Sequence, residues 1–550
     1  MGWNFGDVFD GVARAVPADA PALIHEGRVI GWRELDARSN RLARALLAGG
    51  AVTGDKVGVY LRNRSEYLET VLALLKARLV HVNVNYRYKA AELAYILDNA
   101  DARVVVYGAE FAPEVAALRA DGIGVERWIE VDDSVTADRT AAPSEFAENY
   151  EALVTVGEGA SPLELDRSPD DMIFIYTGGT TGLPKGVMWR QGDLWVTLGA
   201  GANPALGTPP PADLDAHLAN VANAPMRPRQ APLSPIMHGA GLMTSLMTLI
   251  QGGCVITIGG RRFDPEHVLG VLEKMQVNAI SIVGDAFARP LVEALDRMPR
   301  KPVLPALRTV VSTGVMWSPG VKARLLEHYP QLTLMDALGS SEGTGFGMAV
   351  ATRDAPPASA RFMVGEHVKV FTEDLREVRP GSGETGYIAR AGAVPVGYYK
   401  DPEKSARTFP VVDGVRYSIP GDLARVDADG TLVLLGRGNM CINTGGEKVF
   451  VEEVEETLKT HPAVRDALVV GLPDPKWGQT VNAVVEPLPG QAPPDAEALR
   501  AHVRAALADY KVPKRVVLVD DVGRAANGKA DYAHARELLK AESAGGAAWT

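Results

Sequence analysis

Two cysteines, Cys254 and Cys441, are all that the 550 residues contain. A disulfide framework or a cysteine zinc site is therefore excluded, and a reducing compartment fits. Basic residues are in deficit, 57 Lys and Arg against 68 Asp and Glu, and a net charge of -11 gives no general attraction to nucleic acid or to an anionic membrane. No apolar run reaches the length of a membrane span. The opening "MGWNFGDVFDG" has no basic or apolar leader region, and its sixth residue is Gly where a myristoylation signal carries Ser or Thr. These absences lead to the expectation of a cytoplasmic protein with small-molecule partners, no nucleic acid and no membrane span. Oligomeric state, a homodimer included, stays open.

What is present is enough apolar material for several cores, 46% of the chain, and at roughly 150 residues per domain the length suggests three to four units. The runs "ARVVVYG" (102–108), "MIFIY" (172–176), "CVITIG" (254–259), "AISIVG" (279–284) and "RTVVST" (308–313) read as buried strands. A helix-period stretch such as "YLETVLALLKARL" (67–79) lies between them, and the alternation argues for an α/β layered architecture. Residues 204–235 carry eight prolines and are expected to form a pocket-shaping loop. A composition break falls at "LGRGNMCINTGGEK" (435–448), and the alternating helices and strands beyond it read as a small α+β domain.

The stretch "YTGGTTGLPKGV" (176–187) combines glycines, which bring bare backbone N–H groups to an anion, with hydroxyls and one cation, Lys185. Its spacing is not that of the NTPase P-loop, because Leu183 and Pro184 separate Gly182 from Lys185 and Gly186 follows. It reads as a phosphate loop of another kind.

Other constellations carry competing readings. "GSGETG" (381–386) matches G-x-G-x-x-G but precedes a strand-like run, so it reads as a turn rather than a dinucleotide site. "GSSEG" (339–343) matches the G-x-S-x-G of an α/β serine hydrolase, with "HGAG" (238–241) upstream where an oxyanion loop would lie. That would make Ser341 a nucleophile, although "EGTGFGMAVA" is too glycine-rich to begin the helix an elbow needs. His238 sits in a loop-like neighbourhood and is either a cleft residue or a satisfied core histidine. Asp422 is either a ligand carboxylate or an ordinary turn residue, and Lys529, in "NGKAD", is either functional or merely solvated.

In chain order, "YTGGTTGLPKGV", "LGSSE", "IPGDLA", "GRGNMCINTGGEKVFVEEVE" and the late "NGK" resemble the motif series of the adenylate-forming superfamily, the acyl-CoA synthetases and their relatives. The resemblance covers nearly the whole chain. "TGGTTGLPKGVMW", "VPVGYYKD" and "GEKVFVEEVE" are most similar to bacterial fatty-acyl and steroid side-chain CoA ligases. It implies an α/β fold with a large multi-subdomain N-terminal domain, residues 1–438, and a small mobile α+β C-terminal domain, residues 439–550. The hinge would be Asn439, where the family usually carries Asp. It also implies a two-step reaction: a carboxylic acid and MgATP give an acyl-adenylate and pyrophosphate, and coenzyme A then displaces AMP.

The resemblance further implies roles for individual residues. Lys529, Glu342, Ser341, Thr177 and Lys185 form the expected catalytic set. Thr177, Gly178, Gly179, Thr180, Thr181, Gly182 and Lys185 would hold the β- and γ-phosphates, Ser341 the α-phosphate and Glu342 the Mg2+. Asp422 would take the ribose hydroxyls with help from Arg437, and Gly314 and Asp336 would border the adenine. Lys529 would serve the adenylation step, after which domain rotation would replace it with the loop at Gly445 and Gly446. Trp477 and Tyr510 would stack the coenzyme A nucleotide or pack as ordinary aromatics. His238, Gly239 and Gly339 would border the acyl pocket, and Gly239, Ala240, Gly241 and Gly339 are small enough to leave room for a wide or long acid. With no obvious cation for a second carboxylate, the expected substrate is a hydrophobic monocarboxylic acid, fatty, aryl or sterol-derived. The alternatives are the Ser341 hydrolase and a non-catalytic nucleotide- or acyl-binding protein.

Overall fold

Two eight-stranded sheets carry the N-terminal part of the computed structural model, which describes residues 3–88, 90–132, 144–155, 159–177, 184–203, 207–315, 317–355, 361–437, 441–444, 447–474, 477–507, 509–524 and 528–545. In the first, strands Thr333–Ser340, Thr309–Thr313, Ala279–Ile282, Arg229–Pro232, Cys254–Thr257 and Pro21–His25 lie parallel in that order, and the antiparallel strands Gly343–Ala351 and Arg28–Gly31 close the edges. In the second, Met172–Thr177, Val80–Asn83, Lys56–Tyr60, Ala102–Gly108, Arg127–Val131 and Glu148–Asn149 run parallel. Lys185–Arg190 and Gly397–Tyr398 extend that sheet in antiparallel sense.

Parallel strands covered on both faces read as continuous apolar runs, which is why the quoted segments show no alternation. Helix Ser65–Lys76 is buried at every position. It belongs to one core cluster with Val57 and Ile173 of one sheet and Leu23 and Val255 of the other, so it is packed between the two layers. Its buried Lys76 is held by Asp36 at 2.6 Å and Asp10 at 3.2 Å, which answers the cost of a charge at that depth.

A seven-stranded antiparallel sheet follows, with Thr385–Ala391 and Asp422–Val426 near its centre. The fourth sheet has five strands. Glu447–Phe450, Cys441–Thr444, Gly478–Pro487 and Val464–Asp474 are antiparallel neighbours, and Arg515–Leu518 runs parallel to Gly478–Pro487. Helices Val451–Lys459, Ala496–Ala506 and Tyr532–Gly545 accompany it. The fold is thus mixed α/β, with a large N-terminal domain of layered sheets and helices and a smaller C-terminal domain. Among the described residues no helix is long and apolar enough to cross a membrane.

One expectation needs correction. The proline-rich stretch is not all loop, because it holds helix Leu214–Ala222 and strand Arg229–Pro232. The prolines cluster outside the helix, at 209–211 and again at 225 and 228, while Asp213 caps its start by accepting from Ala216 N at 2.8 Å. Counting prolines across the stretch concealed the proline-free run between the two clusters. "GSGETG" does form a turn, with Gly381 and Gly383 both left-handed at φ +75, and it leads into strand Thr385–Ala391 rather than a helix.

Candidate active site

The carboxyl ends of the two parallel sheets are stitched together. Asn83, the last residue of its strand, donates from Nδ2 to Tyr176 O at 2.9 Å and Met237 O at 2.7 Å, and accepts from Tyr176 N at 2.6 Å. Asn63 holds the same loop of the facing sheet, accepting from Ile236 N at 2.7 Å and donating to Ser234 O at 3.2 Å. Open α/β sheets bind ligands in the crevice beyond their carboxyl ends. Thr177, His238, Gly314 and Gly339 all fall there, at or just beyond four different strands.

Thr177 ends its strand directly opposite Lys185, so the ladder pins both ends of the connecting loop. Gly178, Gly179, Thr180, Thr181 and Gly182 lie outside the described residues. Lys185 Nζ donates to Asp401, whose carboxylate also caps helix Pro402–Thr408 by accepting from Lys404 N at 3.0 Å. The bond from Lys185, with the cap behind it, holds Asp401 below the usual carboxylate range.

Ser341 and Glu342 form the turn between strands Thr333–Ser340 and Gly343–Ala351. Trp189 Nε1 donates to Ser341 O at 3.0 Å, Ser418 Oγ to Glu342 O at 2.6 Å, and Tyr398 Oη to Glu342 Oε1 at 2.8 Å. Three sheets therefore converge on this one acidic residue. The same geometry removes the hydrolase alternative: Ser341 sits in a strand–turn–strand, not in the strand–turn–helix of a nucleophile elbow. Among the described residues no histidine is hydrogen-bonded to its Oγ.

Asp422 opens strand Asp422–Val426 after the left-handed Gly421, and its ladder partner is Arg437. Gly314 leaves strand Thr309–Thr313 with φ +93, and the nearest atom to a Cβ there would be Val283 Cγ1 at 3.7 Å. Asp336 is half-buried and takes a hydrogen bond from Lys322 of helix Pro319–His328, so its charge already has a resident cation. Burial nevertheless raises its pKa.

His238 immediately precedes helix Gly239–Ile250, and its Nε2 is sealed from solvent with no hydrogen-bond partner. Burial, then the charges of Lys529 and Arg87, push the imidazole down to about 4, so it is neutral at pH 7. Gly239 has room beside it, with Met243 Cε at 3.7 Å from a hypothetical Cβ. Gly241 does not, because its Cβ would lie 2.5 Å from Pro235 O. The small size of Gly241 therefore serves close packing of the helix start and makes no space for an acid, contrary to expectation. A Cβ on Gly339 would meet Gly343 O and Thr344 Cα at 3.4 Å.

Lys529 is exposed, on the C-terminal domain, yet near enough to His238 to act on its ionisation. Before it, Gly528 has φ +79 and seats against helix Asp285–Arg297, where a Cβ would lie 2.4 Å from Ala286 Cβ. Trp477 and Tyr510 are exposed, with Lys514 and Lys511 over their rings at 5.1 and 5.8 Å. Gly445, Gly446 and Asn439 lie outside the described residues, as does the side chain of Arg437.

Reading the sequence missed three features. Tyr398 and Asp401, the partners of Glu342 and Lys185, stand in the quoted "VPVGYYKD" but received no role. The third is an open cavity of about 520 Å³ lined by Tyr60, Arg62, Tyr86, Arg87, Phe111 and Arg261 among others. Arg62 lies 4.6 Å from the centre of the Tyr86 ring and pairs with Glu110 at 2.8 Å. Tyr86 N donates to Met237 Sδ at 3.4 Å, which puts the cavity beside His238. The available signal was "NYRY" (85–88), a cation framed by aromatics.

Comparison with known proteins identifies the class. The AMP-binding enzyme model matches residues 9–399, and the AMP-binding enzyme C-terminal domain model matches residues 453–529. The chain belongs to the AMP-binding enzyme family. It is 42% identical over 98% of its length to 97% of a medium/long-chain-fatty-acid–CoA and 3-oxocholest-4-en-26-oate–CoA ligase of Mycobacterium marinum. A 3-oxocholest-4-en-26-oate–CoA ligase of Rhodococcus rhodochrous is 39% identical, covering 98% of this chain and 96% of its own. Among solved structures, the anthranilate CoA ligase AuaEII in complex with anthranoyl-AMP shares the fold with a TM-score of 0.81 at 22% identity, over 99% of this chain and 98% of that one.

Proposed function

We propose that this protein is an ATP-dependent, AMP-forming acyl-CoA ligase for hydrophobic monocarboxylic acids of the medium- to long-chain fatty or sterol side-chain class. The observation that carries the reading is the convergence at Glu342. Tyr398 of one sheet and Ser418 of another both bond Glu342 at the turn of a third, Lys185 bonds Asp401 three residues beyond Tyr398, and His238 lies within electrostatic reach of Lys529.

In the first step a carboxylate oxygen bonds to the α-phosphorus of ATP, and the bond from that phosphorus to the bridging oxygen breaks, releasing pyrophosphate. Thr177 and Lys185 hold the outer phosphates, and Ser341 contacts the α-phosphate. Glu342 suits a divalent ion: Tyr398 fixes Oε1, and one carboxylate together with substrate phosphates is how Mg2+ is usually held. Such an ion offsets charge on the leaving pyrophosphate. Asp422 takes the ribose hydroxyls. Lys529 places its ammonium where negative charge gathers in the transition state, and the neutral, unpartnered His238 borders the acid without adding a competing charge.

In the second step the coenzyme A sulfur bonds to the acyl carbon, the bond to AMP oxygen breaks, and AMP leaves. The cavity lined by Arg87 and Arg261, with Arg62 held by Glu110, offers guanidinium donors and aromatic faces for a phosphorylated nucleotide. A C-terminal domain hinged near Asn439 would expose the thioester side between the steps. Pyrophosphate release across a panel of fatty, aryl and sterol-derived acids tests the assignment. Release with fatty or sterol acids is expected, together with no labelling of Ser341 by a fluorophosphonate; ATP-independent ester hydrolysis with Ser341 labelled would overturn it.

A further inference from the structure

Lys529 is exposed and directly follows Gly528. The turn that carries it is fixed from behind. Arg524 makes a two-pronged bridge to Asp466, from Nε to Oδ2 at 2.6 Å and from Nη2 to Oδ1 at 2.9 Å. Its remaining terminal nitrogen, Nη1, reaches Gly528 O at 3.4 Å. That carbonyl belongs to the peptide unit joining Gly528 to Lys529, so the guanidinium orients the peptide plane from which the lysine springs.

Asp466 is itself anchored, because its Oδ1 accepts from Ala467 N at 2.8 Å. Behind it, in the domain core, Glu455 accepts from Val469 N at 2.8 Å, and Lys459 pairs with Glu456 at 2.5 Å. Burial opposes the charge on Lys459, but Glu456 and, from the N-terminal domain, Asp285 more than offset it. Asp285 is the first residue of the helix whose next residue, Ala286, receives Gly528. Charges of alternating sign thus run from Asp285 through Lys459 and Asp466 to Arg524, and return to the same helix at Gly528.

We propose that Arg524 is a positioning residue for adenylation: bridged to Asp466, it sets the Gly528–Lys529 peptide so that Lys529 meets the acyl-phosphate crevice beside His238. This rests on the role of Lys529 given above. A planar fork held at two points suits the task, because it fixes direction as well as distance. Lysine at 524 can supply charge but not three fixed donors.

The test separates the half-reactions in the full-length protein. Arg524→Met should lower the rate of pyrophosphate formation by about 10²-fold, the typical consequence of moving a catalytic group by about 1 Å. KM for ATP and acid should change little, and transfer from supplied acyl-adenylate to coenzyme A should be retained. Arg524→Lys should fall between Arg524→Met and the parent. A second readout does not depend on turnover: the imidazole of His238, followed by NMR and assigned with His238→Gln, should titrate at higher pH in Arg524→Met, because the Lys529 charge has moved away. Should Arg524→Met prove unstable, Arg524→Lys carries the comparison.

Equal losses in both half-reactions, or parental adenylation with an unchanged His238 titration, would overturn the proposal. Lys529→Ala, measured alongside, keeps the two assignments apart. If Lys529→Ala adenylates normally, the lysine assignment fails; if it does not while Arg524→Met does, only the positioning role fails.

Discussion

The most demanding test of how the C-terminal domain meets its partner is Gly528→Ala. A methyl group at this position would lie 2.4 Å from Ala286 Cβ and 3.4 Å from Val283 O. Carbon atoms settle at about 3.5–4.0 Å, so the turn must retreat by more than about 1 Å before the methyl fits. A further cost comes from the backbone: at φ +79 a non-glycine residue is strained by roughly 1–2 kcal/mol. Lys529 is the next residue and must retreat with it, and a displacement of about 1 Å at a catalytic group costs about 10²-fold in rate. The expected result is a loss of that size in pyrophosphate formation, read by quenched flow, with thioester formation from supplied acyl-adenylate nearly unchanged. Ala286→Gly removes the methyl that Gly528→Ala strikes. The double variant should therefore recover much of the loss, although backbone strain and roughly 1 kcal/mol for glycine in a helix remain. Parental adenylation in Gly528→Ala, or no recovery in the double variant, would refute the docking argument.

Two further expectations concern single carboxylates. Glu342→Gln keeps the acceptor for Tyr398 but loses the charge, so adenylation should fall and demand more magnesium while the melting temperature barely moves; unchanged turnover at limiting magnesium would contradict it. Burial raises the pKa of Glu455 to about 7, well above its unfolded value. The folded state therefore holds the proton more tightly, and stability from this group, fully present only below its unfolded value, is lost as pH rises from there to about 7, by on the order of 3 kcal/mol. Glu455→Gln should gain stability relative to the parent at pH 8 and hardly at pH 4, as followed by thermal unfolding at both pH values, and a pH-independent difference would rule the titration out.

Much of the architecture was legible because it is written in local pattern. The apolar runs at 102–108 and 172–176 became central strands, and the helix-period stretch from 67 became the buried helix Ser65–Lys76. What escaped was long-range. Asp401 lies 216 residues from Lys185, and Tyr398 lies 56 from Glu342, so neither bond has a local signature. The glycines of "HGAG" show the opposite difficulty. Small size signals either an open pocket or a close contact, and only the packing of Gly241 on Pro235 tells which.

The seam between the domains has a composition that bears on motion. Among the described residues, the apolar clusters of the C-terminal domain draw only on residues beyond 441, and those of the N-terminal domain only on residues before 435, so neither core is completed by the other. A domain that owns its core loses no hydrophobic burial from its interior when it undocks. Contacts across the seam are of another kind: Arg465 with Glu293 at 3.3 Å, both about one-third exposed, the Lys459 charge beside Asp285, and the Gly528 backbone against Ala286. The partly exposed Arg465–Glu293 pair is worth about 0–1 kcal/mol, because water takes over when it parts, whereas Lys459 and Asp285 meet in a buried setting. Such a seam gives direction through charge and shape without a shared apolar core. On the proposed two-step reading, a seam with no shared apolar core is what placing Lys529 for adenylation and then withdrawing it would require.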